Sequence, residues 1–306
     1  MMTSKITDPQ QEGAKVSPTA GVINIMTVDV EDWLESSLEL FDETNPIRKS
    51  PVSPTERVVI NTRKLLGILS ETGVTGTFFV LGTVAEKYPE VVKEIHQRGH
   101  EVASHGYRHD LVYKMQKEQF RDTLQKSVAI LENLTGQKIM GYRAPYASIT
   151  PESEWALDVL QELGFAYDSS IFPIRRGLYG SPLAKTIPHV IREGDRSLRE
   201  FPFSTIRLLG QNLPVGGGGY FRLFPYCFTR WALRRINRQG QPIIFYLHPY
   251  ELDAEELRHP LPGETWKTHL VRLSQGLNRS RTEAKLRRLL ADFEWTSVRE
   301  WMAEHE

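Results

Sequence analysis

Two histidines four residues apart, His105 and His109 in Ser104-His105-Gly106-Tyr107-Arg108-His109, follow a short strand-like run and suit metal binding. On a helical turn, positions i and i+4 share a face, so both rings can reach one ion. An acidic cluster, Asp29, Glu31 and Asp32, closes an earlier apolar run that begins at Ile25. Two imidazoles and one carboxylate can hold a divalent metal and leave positions open for substrate. A second carboxylate beside that metal can take a proton from water. The strand period of two puts Asp29 and Glu31 on one face, and Asp32 joins them only if the strand has ended. These residues alone leave Glu31 and Asp32 both open as the ligand.

Three further polar residues end apolar runs. His248, in Phe245-Tyr246-Leu247-His248-Pro249, can protonate a leaving group near neutral pH. Arg143, before Ala144-Pro145-Tyr146, can hold a carboxylate through paired hydrogen bonds, and the base is its natural partner. Asp168, in Tyr167-Asp168-Ser169-Ser170, either caps the next segment or orients the His248 imidazole. The glycine run 216–219 lacks phosphate-loop spacing and reads as a flexible, substrate-facing loop. The lone Cys227, flanked by aromatics, reads as a buried apolar residue.

The elements that position these groups alternate along the chain. Strands are expected at Val22–Val30, Gly76–Leu81, His100–Ser104, Ile139–Ala144, Phe165–Ser169 and Pro242–Leu247. Helices are expected at Thr55–Thr72, Val84–Arg98, Lys117–Leu134, Glu152–Leu163 and Ser280–Phe293, most of them stopped by glycine before the next strand. That alternation indicates a parallel α/β sheet or barrel, with chemistry on the loops after the strands. The acidic cluster, the histidine pair, Arg143, Asp168 and His248 all fall at such strand ends. Between Ile171 and Gln239 the pattern is irregular.

The bulk composition is that of an ordinary soluble domain. Lys+Arg and Asp+Glu both number 38, so a broad attraction to nucleic acid or anionic lipid is not expected. A single cysteine excludes an intrachain disulfide and a cysteine-rich zinc site. Residues 1–20 are polar and read as a disordered tail without the apolar core of a signal peptide, with one catalytic domain over 21–306. No apolar run is long enough to span a bilayer, so the expected location is cytoplasmic, at most peripheral to the inner membrane.

Five segments, in this order, resemble the motifs of the polysaccharide deacetylase family, the NodB-homology carbohydrate esterases. Thr27-Val28-Asp29-Val30-Glu31-Asp32 is similar to the first motif, usually Thr-Phe-Asp-Asp. Ser104–His109 is similar to the second and Arg143-Ala144-Pro145-Tyr146 to the third. Tyr167-Asp168-Ser169-Ser170 partly matches the fourth, and Leu247-His248-Pro249 matches the fifth. The opening Asp-Val-Glu-Asp-Trp and the segment Gly-Gly-Tyr-Phe-Arg look most like deacetylases of bacterial exopolysaccharide and protein-sorting loci. Those carry an extra C-terminal segment, here about 195–306.

The resemblance implies a distorted (β/α) barrel with an irregular C-terminal extension. It also implies a divalent metal, usually zinc, held by His105, His109 and Asp32, with Glu31 as the alternative carboxylate. Asp29 is then the base, oriented by Arg143, and His248 the acid, oriented by Asp168. Tyr146, Trp33 and Tyr220 are candidate sugar-stacking residues. The implied reaction removes N-acetyl groups from an N-acetylated sugar or glycan, with exopolysaccharide-assembly proteins as candidate partners. Two other readings share the fold: a hydrolase of cyclic amides resembling allantoinase, and a glycan-binding protein without activity. A serine esterase is disfavoured by the absence of a Gly-x-Ser-x-Gly elbow.

Overall fold

The computed structural model describes residues 21–41, 43–49, 52–175, 180–261 and 263–305. The expected disordered tail over residues 1–20 lies outside the described residues. Eleven strands follow in chain order: β1 (Asn24–Val30), β2 (Thr77–Val80), β3 (Glu101–Ser104), β4 (Gly141–Tyr142), β5 (Tyr167–Asp168), β6 (His189–Arg192), β7 (Leu198–Glu200), β8 (Thr205–Leu208), β9 (Gln211–Pro214), β10 (Ile244–Leu247) and β11 (Trp295–Thr296). Nine of them form one sheet in the order β10-β1-β2-β3-β4-β5-β7-β6, with β11 also pairing with β1. Its pairs are parallel except β6 with β7. Strand β1 is buried along its whole length, as a parallel strand covered on both faces must be.

The period of two sorts each strand into an outer and an inner face. Met26, Val28, Val30, Phe78, Val80 and Val102 join the large cluster shared with the helices. Ile25, Phe79, Ala103, Tyr167, Phe201 and Ile244 form a separate inner cluster. The sheet therefore curls around its own side chains, the distorted barrel expected from the motifs. Its ends are bridged by chain outside the strands. Ser204 accepts the Val215 and Gly216 N–H groups at its carbonyl, both at 3.1 Å, and the Ile244 N–H at its hydroxyl, 2.9 Å. Gly216 O in turn accepts the Tyr246 N–H at 2.8 Å.

The glycine run is thus part of the closure, which corrects its reading as a flexible loop. Gly217 has φ +131°, and a Cβ there would fall within contact of the Tyr246 carbonyl oxygen; one on Gly218 would strike the Tyr246 ring. Only glycine allows this approach. The stretch read as irregular also contains regular elements among its described residues. It holds the antiparallel pair β8–β9 and helices Gly218–Leu223 and Tyr226–Asn237.

At the opposite end, helix Val298–Glu304 plugs the barrel. The Val298 N–H donates to Thr77 Oγ1 at 2.8 Å, and the Arg299 N–H donates to Glu101 Oε2 at 3.0 Å. Tyr167 OH donates to Glu101 Oε1 at 2.9 Å. Burial pushes the Glu101 carboxyl above its ordinary range.

Most outer helices match their sequence signals. Helix Glu56–Thr72 is capped by Thr55, whose hydroxyl accepts the Arg57 N–H at 3.2 Å, and ends at left-handed Gly73. The helix expected over Val84–Arg98 is instead two, Gly82–Lys87 and Pro89–Gln97. Pro89 has no N–H and drives Tyr88 out of helical geometry, so the break falls there.

Candidate active site

The inner parity of the strands, carried past their C-terminal ends, brings Asp29, Glu31, His105, Arg143 and His248 to one cleft of about 370 Å³. His109, Tyr146 and Tyr220 also line it.

His105 directly follows β3, its backbone N–H held by Val80 O at 3.0 Å. Its Nδ1 lies 2.8 Å from Arg143 O, which can only accept, so Nδ1 carries the proton and Nε2 faces the cleft. Four residues on, His109 arrives by an irregular loop rather than a helical turn. That loop is pinned by the Gly82 N–H to Gly106 O and the Thr83 N–H to Tyr107 O, both at 2.9 Å. Glu31 Oε2 lies 3.2 Å from His105 Nε2 and 2.7 Å from His109 Nε2.

One ligand atom from each of Glu31, His105 and His109 lies within 4.8 Å of the others. Glu31 is 1% exposed, and among the described residues Oε2 accepts no ordinary hydrogen bond beyond these imidazole contacts. Burial alone would raise the Glu31 carboxyl, but the adjoining imidazoles of His109 and His105 outweigh it and hold the group anionic. A buried carboxylate and two converging imidazole nitrogens, one fixed by an Nδ1–H to a carbonyl, are a fitting donor set for a divalent cation.

The carboxylate in this group is Glu31, where the motif reading put Asp32 first. Asp32 has the opposite parity, and its Oδ2 accepts the N–H of Thr55, the cap of helix Glu56–Thr72. Burial raises its carboxyl.

Arg143 is fully buried in the barrel mouth between the rings of Phe79 and Phe203, at 4.2 and 4.7 Å from their centroids. Its Nη1 donates to Asp29 Oδ1 and to Thr27 Oγ1, both at 2.8 Å. Nε and Nη2 donate to the Ser169 carbonyl and hydroxyl, at 3.0 and 2.8 Å. Asp29 therefore keeps Oδ2 toward the cleft, 3.8 Å from His248 Nε2. The same His248 nitrogen is 3.5 Å from Glu31 Oε1.

The His248 ring is oriented by a residue the motifs did not single out. Its Nδ1 lies 2.7 Å from Glu251 Oε1, one helical turn on. Burial opposes charge on this imidazole, but the Glu251 hydrogen bond and the nearby carboxylates raise it to about 9. Asp168, expected to do this, is one residue out of register and points to the other side of the sheet. There Oδ1 accepts the Ser170 hydroxyl at 2.6 Å, and Asp168 pairs in register with Glu200. Burial raises both carboxyls of this pair, Glu200 more strongly. Asp168 thereby fixes the loop whose Ser169 grips Arg143.

Tyr146 presents its ring edge to His109, centroids 4.5 Å apart, from a left-handed backbone with φ 54°. Its hydroxyl accepts the Glu39 N–H at 3.1 Å. Trp33 cannot stack on a ligand: it is 1% exposed and packs with Phe41, Tyr250 and Leu257. Cys227 is exposed, not buried as its aromatic neighbours suggested. Glu251 lay in plain view three residues after His248, but nothing in the sequence distinguished it from a solvated acid.

Residues 54–167 match the family model for polysaccharide deacetylase. This part of the chain, a little over a third of it, is similar to polysaccharide deacetylases. Residues 169–303 match a second model, described as a domain of unknown function (DUF3473), so the extra C-terminal segment begins directly after the deacetylase region. The peptidoglycan-N-acetylglucosamine deacetylase of Bacillus cereus is 36% identical over 98 residues, covering 32% of this chain and 36% of the relative. The peptidoglycan deacetylase of Helicobacter pylori is 36% identical over 111 residues, covering 35% and 36%. The chain thus spans about a third of the length of these curated relatives. A Mycobacterium smegmatis crystal structure assigned as a polysaccharide deacetylase superposes with TM-score 0.55 at 22% identity, over 94% of this chain and 92% of that one. At that identity the deacetylase likeness is one of fold.

Proposed function

We propose that this protein is a metal-dependent hydrolase that removes N-acetyl groups from an N-acetylated sugar or polysaccharide, leaving acetate and a free amine. The observation that carries this is the flanking of Glu31, His105 and His109 by an Arg143-held carboxylate and a carboxylate-held imidazole in one cleft. A divalent ion held by those three residues, zinc in this reading, would supply a Lewis acid for the acetamide carbonyl and for water.

Asp29 Oδ2 takes the proton of the attacking water, while Arg143 on Oδ1 holds the carboxylate in place. His248 delivers a proton from Nε2 to the departing amine nitrogen, its Nδ1 already engaged by Glu251. Proton donor and acceptor lie side by side, Nε2 to Oδ2 3.8 Å, so one bound amide can meet both. Tyr146 and Tyr220 on the cleft wall offer aromatic surface to a sugar ring.

The names of the relatives support a glycan substrate, and the resemblance of the Asp-Val-Glu-Asp-Trp and Gly-Gly-Tyr-Phe-Arg segments to exopolysaccharide-locus deacetylases favours a bacterial exopolysaccharide as the polymer. Cytoplasmic placement, at most peripheral to the inner membrane, accords with the absence of any membrane-crossing helix among the described residues. The test is acetate release from N-acetylglucosamine oligomers and from an acetylated exopolysaccharide, run alongside metal analysis of the purified protein. Metal-stimulated acetate release is expected. Ring opening of a cyclic amide with no acetate from any glycan would overturn the reading.

A further inference from the structure

A chain of buried contacts links His248 to Glu251, Arg222 and the Gln275–Leu277 turn, all within the segment 169–303 that the second family model covers. Glu251 Oε1 receives the His248 ring at Nδ1, 2.7 Å, and the His248 backbone N–H at 3.3 Å. Its other oxygen, Oε2, accepts Arg222 Nε at 2.8 Å. Arg222 Nη1 donates to the carbonyls of Gln275 and Leu277 at 2.7 and 2.9 Å, and Nη2 donates to Gln275 Oε1 at 3.1 Å. The Arg222 carbonyl is itself held by Asn278 Nδ2 at 3.2 Å and Lys285 Nζ at 2.9 Å. Tyr250 stacks on the His248 ring, centroids 4.9 Å apart and planes 11° apart. Glu251 and Arg222 are 1% and 3% exposed.

A buried ion pair adds little to stability compared with apolar residues of the same volume. This pair has a geometric consequence instead: it fixes a carboxylate at the Nδ1 edge of the imidazole, whose face Tyr250 covers. We propose that Glu251 and Arg222 are positioning residues for His248, so that the segment 169–303 supplies both the proton donor and the clamp that holds it. With Nδ1–H engaged, the imidazole cannot flip, and Nε2 stays beside Asp29 and Glu31. Arg222 keeps the carboxylate from swinging to another donor. The Gln275–Leu277 turn keeps Arg222 in place, so the end of helix Trp266–Gly276 reaches the chemistry through two side chains. This inference rests on His248 being the proton donor of the proposed reaction.

The experiment uses the metal-loaded full chain and two readouts. The first is a far-downfield imidazole N–H proton resonance, assigned to His248 by its loss in His248→Asn. It is expected in the unmodified protein, shifted upfield in Glu251→Gln, and faster-exchanging in Arg222→Met. The second is steady-state acetate release, where Glu251→Gln and Arg222→Met should lower kcat by at least ~10-fold with KM held within about 2-fold. Arg222→Lys, which keeps the charge but not the fork, should fall between. A His248 resonance absent from the unmodified protein, or unmoved in Glu251→Gln, overturns the clamp even if Arg222→Met fails to fold. If instead His248→Asn leaves acetate release intact, the proton-donor reading fails, and the resonance still reports on the clamp.

Discussion

Glu31 Oε2 and His109 Nε2 meet at 2.7 Å, inside a cleft from which Asp32 is turned away. The two neighbouring carboxylates should therefore respond differently to neutralisation. Glu31→Gln is expected to weaken metal binding by more than ~100-fold, beyond what loss of an outer partner costs. Asp32→Asn should leave metal content unchanged, measured by elemental analysis after dialysis against trace metal. Metal retained by Glu31→Gln and lost by Asp32→Asn would reverse the assignment.

The Asp29–Arg143 pair predicts losses of both rate and stability when it is broken. Asp29→Asn should lower kcat by ~10²–10⁴-fold, the usual worth of a general base, with metal still bound. Arg143→Met should also lower activity, and in addition cost about 3–5 kcal/mol by leaving the Asp29 carboxylate buried without its counter-charge. Denaturant titration of both variants checks the second part. Asp29→Asn strands the Arg143 guanidinium in the same way, so undiminished stability in Arg143→Met would contradict the pairing.

Barrel closure at the glycine run gives a backbone prediction. Gly217→Ala places a Cβ against the Tyr246 carbonyl at a positive φ, so a loss above ~2 kcal/mol is expected. Gly210→Ala, at a hairpin tip with open space around it, should cost less despite its own positive φ. Thermal melts of the two variants compare them directly.

His100 predicts an acid-side instability unrelated to the cleft. Its ring packs on Phe78, centroids 4.9 Å apart, and burial lowers its pKa to about 4 from the ordinary 6.5. The folded protein therefore binds this proton more weakly than the unfolded chain. The stabilisation is complete above pH ~6.5 and is lost as pH falls toward ~4, at up to about 1.4 kcal/mol per pH unit. His100→Phe should flatten that part of the stability profile, followed by urea unfolding between those two pH values. An unchanged slope would mean that His100 titrates normally.

Much of the architecture was legible because it depends on local rules. The run Asn24–Val30 carries Met26, Val28 and Val30 on one face and is buried on both, as a covered parallel strand must be, and Gly73 and Gly136 stop helices by taking left-handed backbone. The short strands β4 and β5, and everything between Ile171 and Gln239, were harder. Two-residue strands leave no period to read, and the closure through Ser204, Gly216 and Tyr246 uses contacts far apart in the chain.

By itself, the sequence determined which chemistry was available and at which edge of the sheet it would gather. Asp29, His105, His109, Arg143 and His248 stand at strand ends in every consistent reading of the pattern. Tertiary structure alone decided the assignments that turn on a single step of register. Glu31 and Asp32 are adjacent residues on opposite faces, as are Asp168 and Ser169, so one joins the cleft and the other is directed away. It also decided that Glu251, held by Arg222, takes the place beside His248 where Asp168 was expected. A contact between side chains 29 positions apart leaves no local trace in the sequence, because only the closed barrel brings them together.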